Sequence, residues 1–223
     1  MARTLLITGA SSGIGAATAR AAAKAGWRVA LLARSEDSLR EIATDIGENA
    51  LALPCDITDR DALNSAVART VETFGSLDAV FANAGKGVSN AGIENGVPGE
   101  WHEMIHLNVL GVLHTAHATL PELRKTKGHF IVTGSKAGRD HLKGSVYGAT
   151  KWFVHGFAGN LAEEMREWGG RCTVISPGMV DTPFFDEAKP DKIQPEDVAA
   201  SVVFALDQPK TAAVREIHIM PND

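Results

Sequence analysis

The sequence predicts an α/β protein with a doubly wound, mostly parallel sheet and helices on both faces. Short apolar runs alternate with stretches of helical periodicity along the whole chain. The first run, at residues 5–7, lacks the polar alternation of a half-exposed strand, as expected for a strand buried on both faces. Most of the runs end in a glycine or in small polar residues. Strands that alternate with helices in this way are typical of parallel crossover units.

Composition limits the classes of function. The 223 residues carry 22 Lys+Arg and 27 Asp+Glu, a net charge of -5 without a basic run. This disfavours nucleic-acid binding and polybasic membrane contact. No stretch reaches the length of a membrane span, so we expect a soluble, cytoplasmic protein with one domain over residues 1–223. Cys55 and Cys172 lie far apart and fit neither a disulfide framework nor a zinc knuckle.

The first strand, at residues 5–7, leads through a glycine-rich stretch into an alanine-rich helix at residues 16–25. Strand, glycine-rich turn and helix together direct free backbone N–H groups and a helix dipole at a phosphate. Gly9, Gly13 and Gly15 would let the backbone approach a pyrophosphate closely. The spacing is G-x-x-x-G-x-G, and we expect nucleotide phosphate binding here.

The end of the second strand, at residues 28–33, indicates which dinucleotide is bound. A fold that binds NAD usually has a carboxylate there for the ribose hydroxyls. This chain has Ala33, Arg34 and Ser35 instead. A guanidinium suits the charge and geometry of a 2′-phosphate, so NADP is favoured over NAD. The alternative is that Arg34 is a solvated loop residue.

The next elements continue the alternation up to a fourth strand. A helix around residues 39–46 precedes a third strand at residues 51–53. Thr58, followed by Asp61 three residues later, resembles a capping box that opens a helix. The fourth strand, at residues 78–82, ends in Asn-Ala-Gly at residues 83–85.

A long helix is predicted over residues 100–127, after a glycine-rich loop that follows the carboxyl end of the fourth strand. Ligands bind at that edge of such sheets. The pairs His102/His106 and His114/His117 have spacings that could ligate a metal. No third ligand accompanies either pair, so we interpret them as ordinary helix residues and predict no metal site.

Further strands are predicted at residues 130–133, 172–176 and 214–220, with helices at residues 144–168 and from Pro195 onward. The helix at residues 144–168 carries Tyr147, the only tyrosine, four residues before Lys151. That spacing places both side chains on one face of a helix. A phenol there could transfer a proton, and the ammonium would lower its pKa. Such a pair is common by chance, and its interpretation depends on the rest of the chain.

Taken together, these motifs resemble the short-chain dehydrogenase/reductase family over the whole chain. Residues 8–15 match its T-G-x-x-x-G-x-G motif, and residues 83–85 match its N-A-G motif. The resemblance implies a seven-stranded Rossmann fold with strand order 3-2-1-4-5-6-7. It also implies the catalytic residues Asn108, Ser135, Tyr147 and Lys151. The implied NADP-binding residues are Gly9, Ser11, Ser12, Gly13, Ile14, Gly15, Arg34, Ser35, Asp56, Ile57, Asn83, Ala84, Gly85, Tyr147, Lys151, Pro177, Gly178, Val180 and Thr182.

The resemblance implies hydride transfer between the nicotinamide and a carbonyl or alcohol, with Tyr147 as general acid or base. Lys151 would lower the pKa of the phenol and bind the ribose, Ser135 would hold the substrate oxygen, and Asn108 would hold a water that relays protons. A homodimer or homotetramer is implied as well. The subgroup looks most like the bacterial 3-hydroxy acid (serine-type) dehydrogenases.

Two departures from the family pattern concern the substrate side. Ser135 and Tyr147 are twelve positions apart, one fewer than usual, and the stretch at residues 183–195 is short for a substrate lid. These features favour a pocket that is more open or completed by a partner subunit. Arg139, His141 and Lys143 could bind a substrate carboxylate or form a solvated loop, so the substrate stays open.

Two other classes of protein share part of this pattern. A regulator that binds NADPH without turnover would be expected to lack the proton donor, and this chain keeps it. A methyltransferase that uses an adenosyl cofactor also has a glycine-rich first turn, but it has no use for Y-x-x-x-K. A P-loop enzyme is excluded because G-x-x-x-x-G-K-[ST] does not occur.

Overall fold

Seven parallel strands in the order β3-β2-β1-β4-β5-β6-β7 form the central sheet of the computed structural model, which describes residues 2–185 and 187–222. The predicted fold class and strand order are confirmed. The strands are β1 (Thr4–Thr8), β2 (Arg28–Ala33), β3 (Ala50–Pro54), β4 (Ala79–Ala82), β5 (His129–Thr133), β6 (Arg171–Pro177) and β7 (Glu216–Ile219). The last strand is shorter than the predicted 214–220.

Helices cover both faces of this sheet. They are α1 (Gly13–Lys24), α2 (Glu36–Ile46), α3 (Arg60–Phe74), α4 (Pro98–Ile105), α5 (Val112–Thr126), α6 (Val146–Arg166) and α7 (Pro195–Leu206). A π-helical segment (His106–Gly111) joins α4 to α5, and a 3₁₀ turn (Lys136–Gly138) follows β5. None of the described helices is long and apolar enough to cross a membrane.

Alternate side chains of the strands fill two separate cores. Leu6, Val80 and Phe130 pack into a core that also contains side chains of α3, α5 and α6. Their strand neighbours, such as Ile7 and Phe81, pack on the other face against α1, α2 and α7. The period of two along each strand explains this division, and burial on both faces explains why the central strands are mostly apolar.

The predicted helix at residues 100–127 is interrupted. The chain forms α4, then six residues of π-helix, and then α5. Such wide turns are frequent at functional sites. Hydrophobic periodicity alone does not show them, because both helix types keep apolar side chains on one broad face. The π-helical segment contains Asn108, one of the predicted catalytic residues.

The capping prediction for α3 is wrong by one residue. The helix begins at Arg60, and the Asp59 carboxylate accepts hydrogen bonds from the N–H groups of Asp61 and Ala62. The Thr58 hydroxyl donates to Asp56 instead, at 2.8 Å. Asp56 therefore takes the hydroxyl that the predicted cap would have used.

Candidate active site

A cavity of about 720 Å³ lies at the carboxyl edge of the sheet. Parallel strands place all their carboxyl ends at one edge, and the loops that follow them form the walls. The loops after β1, β2, β3, β4, β5 and β6 all contribute to this cavity. It therefore collects groups that are far apart in sequence.

The glycine-rich turn after β1 forms one wall through its backbone. Gly9 has a φ of 66°, which favours glycine. A Cβ on Gly15 would lie 2.1 Å from the Gly9 carbonyl oxygen, so the helix can start this close to the strand only with glycine there. Ser12 precedes α1, and its side chain makes no capping hydrogen bond. The first N–H groups of α1 thus have no side-chain cap and suit an anion.

Arg34 and Asp56 line the adjoining part of the cavity, after β2 and β3. Arg34 makes no hydrogen bond or ion pair with any residue that the structure describes. Burial acts to raise the pKa of Asp56, but hydrogen bonds from Thr58 and the charge of Arg34 outweigh it, so the pKa is lowered. Asp56 is therefore an ionised acceptor near an available guanidinium.

The Asn-Ala-Gly stretch after β4 is tied to its neighbouring strands. The Thr8 hydroxyl accepts from the N–H groups of Asn83 and Ala84, at 3.0 and 3.1 Å. The Asn83 amide donates to the backbone of the β1 loop and accepts from the Thr133 hydroxyl at 3.0 Å. The amide side chain thus links the ends of β1, β4 and β5.

Tyr147 lies near the start of α6 and lines the cavity with Ser135. Burial raises the pKa of Tyr147, and a hydrogen bond with Ser135 acts in the opposite direction. The shorter spacing of these two residues therefore does not separate them. A buried phenol with a raised pKa is protonated at neutral pH and can act as an acid.

Lys151 lies one turn farther along α6, with its Nζ 5.7 Å from the centre of the Tyr147 ring. The ammonium donates to the Thr133 carbonyl at 2.8 Å. Burial lowers the pKa of Lys151 to about 8. The predicted lowering of the tyrosine pKa is not found in this structure, because burial of the phenol outweighs its hydrogen bond with Ser135.

Asn108 is buried in the π-helical segment and does not line the cavity. Its side chain accepts from the Lys86 N–H and donates to the Lys86 carbonyl, both at 2.9 Å. It also donates to the Thr150 hydroxyl at 3.3 Å. Asn108 thus connects the loop after β4 with α6, next to Lys151.

The segment after β6 closes over the glycine-rich turn. Val180 pairs with Ile193 in an isolated parallel bridge, and the Asp181 N–H donates to the Ile193 carbonyl at 2.8 Å. Both ends of the short lid segment are therefore held together. A Cβ on Gly13 would lie 3.0 Å from the Thr182 methyl carbon, so the lid lies directly against the start of α1.

Most of the sequence-predicted site residues line the cavity. Gly15 and Asn108 do not, and they act through packing and hydrogen bonds behind it. Predicted residues that line it are Gly9, Ser11, Ser12, Gly13, Ile14, Arg34, Ser35, Asp56, Ile57, Asn83, Ala84, Gly85, Ser135, Tyr147, Lys151, Pro177, Gly178, Val180 and Thr182. Phe184 and Phe185 line it as well, but of residues 139–143 only Leu142 does.

Sequence reasoning missed His155, which lies behind Ser135. Its Nε2 is 3.2 Å from the Ser135 carbonyl oxygen, and its Nδ1 is 3.5 Å from a Glu216 oxygen. A Cβ on Gly138 would lie 2.5 Å from this ring, so the glycine makes room for it. His155 follows Lys151 by one helical turn, and that spacing was the only available signal.

The whole chain resembles known oxidoreductases. A family model described as short chain dehydrogenase matches residues 3–193. An uncharacterized oxidoreductase of Staphylococcus epidermidis is 37% identical over 226 residues, which cover 98% of this chain and 97% of the relative.

Solved structures share the fold over nearly their full length. An alcohol dehydrogenase from the archaeon Thermococcus sibiricus, complexed with 5-hydroxy-NADP, has a TM-score of 0.92 and 32% identity, covering 100% of this chain and 97% of that one. Serine dehydrogenase from Escherichia coli has a TM-score of 0.90 and 29% identity, covering 98% and 97%.

Proposed function

Because this chain belongs to the short-chain dehydrogenase family of oxidoreductases, we propose that it transfers hydride between NADP(H) and a carbonyl or secondary alcohol. The observation that carries the proposal is a partly buried tyrosine, hydrogen-bonded to a serine and followed one turn later by a buried lysine, in a dinucleotide-sized cavity. When bound, NADPH supplies the hydride.

The residues of the cavity fit NADP. The uncapped start of α1, with glycines that leave no room for a Cβ, suits the pyrophosphate. Arg34 makes no hydrogen bond or ion pair with the described residues and suits the 2′-phosphate, while Ala33 offers no competing carboxylate. Asp56 is an ionised acceptor for the adenine. The NADP analogue bound to the archaeal alcohol dehydrogenase supports this assignment.

In the direction of reduction, Tyr147 donates its proton to the carbonyl oxygen of the substrate. The raised pKa keeps the phenol protonated at neutral pH, so the acid is available before the reaction. Ser135 hydrogen-bonds the same oxygen as negative charge develops on it. In the opposite direction Tyr147 accepts the proton of the alcohol.

Lys151 and Asn108 support this proton transfer. The Lys151 ammonium stabilises the tyrosinate left after the proton has moved, and it would bind the nicotinamide ribose. Asn108 is hydrogen-bonded to the Lys86 backbone and to Thr150, and so holds the loop after β4 against α6. We further propose that the Asn108 region holds a water molecule that relays protons to Lys151.

The proposal is tested with Tyr147→Phe, which removes the proton donor and keeps the ring. We expect NADPH oxidation with a panel of ketones and aldehydes to fall by at least a thousandfold, because the general acid is lost. The dissociation constant for NADPH, measured by fluorescence titration, should change less than threefold.

Wild-type protein that binds NADPH but oxidises it with no carbonyl compound would favour a silent NADPH-binding regulator. Tighter binding of NADH than of NADPH in the same titration would contradict the role given to Arg34.

We also propose a homodimer or homotetramer. An apolar groove between α5 and α6, which includes Leu113, Leu120, Phe157 and Trp168, supports an interface on these two helices.

A further inference from the structure

The wall of the cavity near Tyr147 is apolar. Leu142, Met179 and Phe184 line it, with exposed fractions of 50%, 41% and 44%. The Phe184 ring lies with its centre 5.6 Å from that of Tyr147. Large apolar side chains left this exposed next to a reacting group gain free energy when a ligand covers them.

The position of Phe184 is determined by its neighbours. A Cβ on Gly87 would lie 3.0 Å from the Phe184 ring carbon Cζ, so the ring fills the space that this glycine leaves. On another side it packs against the Phe185 ring, with the centres 5.3 Å apart. Phe184 therefore packs against the protein on two sides and leaves part of its ring exposed in the wall of the cavity.

The cations near this wall already have carboxylate or carbonyl partners. Lys136, next to Ser135, forms an ion pair with Asp140 at 2.9 Å, and Lys86 pairs with Glu103 at 2.6 Å. The Lys151 ammonium is bound to the Thr133 carbonyl. A substrate carboxylate would only replace an existing one at Lys136 or Lys86, so the exchange brings little net attraction.

The remaining basic residues lie elsewhere. Arg34 follows β2, which is three strands from β5 and therefore roughly 14 Å from the catalytic end at about 4.8 Å per strand. Arg139 is paired with Glu216. Lys143 has no partner among the residues described, but it does not line the cavity. The wall next to Tyr147 thus presents apolar surface and neutralised charge.

We propose that the substrate is an uncharged ketone or aldehyde with an apolar substituent, and not a keto acid or an acid semialdehyde. The substituent would lie between Leu142, Met179 and Phe184. This inference rests on the function proposed above and adds the class of substrate. It separates the chain from the serine dehydrogenase that shares its fold, since serine carries a carboxylate.

The test compares probes that differ in one charge and one methyl group. Methyl para-acetylbenzoate is assayed against para-acetylbenzoate, and the methyl ester of succinic semialdehyde against the free acid, each with saturating NADPH. The expected kcat/KM is at least tenfold higher for each ester, because the acid must give up hydration without gaining an ion pair. Equal or higher values for the acids would overturn the proposal.

Two pairs of variants test the two parts of the argument. Phe184→Ala should raise KM for the aryl ester at least fivefold, whereas Phe204→Ala, at an exposed phenylalanine on α7 outside the cavity, should not. Asp140→Asn leaves Lys136 without its carboxylate and should raise kcat/KM for the acids severalfold. Glu122→Gln, which breaks the exposed pair with Lys125, should leave these values unchanged. No difference between variants and controls would contradict the assigned wall.

A binding measurement separates this proposal from the proposed function. Calorimetric titration of the protein–NADP⁺ complex with the two acetylbenzoate probes needs no turnover. Tighter binding of the ester, without NADPH oxidation, would support the proposed ligand class and contradict the proposed enzymatic function. Tighter binding of the acid, with active turnover, would contradict the proposed substrate class and leave the proposed enzymatic function supported.

Discussion

The ammonium group of Lys151 is held inside the protein by one backbone carbonyl, that of Thr133. Lys151 is only 6% exposed, and burial lowers its pKa from 10.5 to about 8. At neutral pH the residue is still largely protonated, so the folded protein carries a charge that is poorly solvated before any ligand binds. A group required for function is therefore a cost to the stability of the free protein.

We expect Lys151→Met to stabilise the protein at pH 7 in the absence of ligand. Removing the charge relieves a desolvation cost of roughly 3 kcal/mol. The Thr133 carbonyl loses its hydrogen bond, which lowers the free energy of unfolding by about 1 kcal/mol. The folded pKa lies below the unfolded one, so the wild type regains stability as the pH rises from 8 to 10.5. The advantage of the variant should shrink by about 2 kcal/mol between pH 7 and pH 9.5.

Urea unfolding at the two pH values measures this difference. Lys125→Met, at an exposed lysine of α5, serves as the control and should show no such pH dependence. A variant that is less stable than the wild type at pH 7, or whose difference does not vary with pH, would contradict the assigned burial cost.

At the level of elements, the sequence predicts those parts of the site that are local. The glycine-rich turn, the Asn-Ala-Gly stretch and the Tyr147–Lys151 pair are each contained in a few consecutive residues, so their type and spacing are visible directly. His155 contacts Ser135 because the crossover connection packs α6 against the end of β5. Its spacing of one helical turn from Lys151 is the only local sign of that contact.

The π-helical segment and the start of α3 show why element boundaries are harder to predict than element types. Both depend on which of several nearby polar groups takes a given hydrogen bond. In the first case the Asn108 side chain bonds the backbone of Lys86 rather than staying in solvent. In the second, Asp56 takes the Thr58 hydroxyl, and Asp59 becomes the cap.

The cap of α3 gives a prediction at this level. Asp59→Ala removes the acceptor of two N–H groups at the helix start and should lower the free energy of unfolding by about 1 kcal/mol. Asp59→Asn keeps an oxygen acceptor and should lose less than half as much. Urea unfolding of both variants measures the difference, and an equal loss would rule out capping as the cause.

Across the whole molecule, the two edges of the sheet have different roles. The carboxyl edge holds the cavity, while the amino edge contains a buried polar contact between β5 and β6. The Thr173 hydroxyl donates to the Val214 carbonyl, so it must accept from Nε2 of His129, 2.7 Å away. Nε2 of His129 therefore carries a proton, and its Nδ1 has no hydrogen-bond partner in the described part of the chain.

This histidine predicts how stability depends on pH. Burial and the charge of Arg171 lower the pKa of His129 from 6.5 to about 3. The unfolded state therefore binds more protons between these values, and stability falls as the pH drops from 6.5 toward 3. We expect His129→Gln to lose less stability than the wild type between pH 7 and pH 4.5, by about 2.5 kcal/mol.

Chemical denaturation at both pH values provides the measurement, and the comparison uses the change with pH rather than absolute stability. His102→Gln, at an exposed histidine of α4, should behave like the wild type. A His129→Gln protein with the same acid sensitivity as the wild type would show that other groups dominate.

The strand order also determines how long β1 lacks one of its neighbouring strands while the chain is being synthesised. β1 lies in the middle of the sheet and is fully buried, yet one of its two neighbours, β4, ends at Ala82. About 74 residues separate the ends of β1 and β4, which at ~5–20 residues per second corresponds to roughly 4–15 seconds of translation. Through that interval an apolar strand has an open edge, the state in which strands of other chains can pair with it. The nascent chain is thus most exposed to aggregation before the catalytic half has been made.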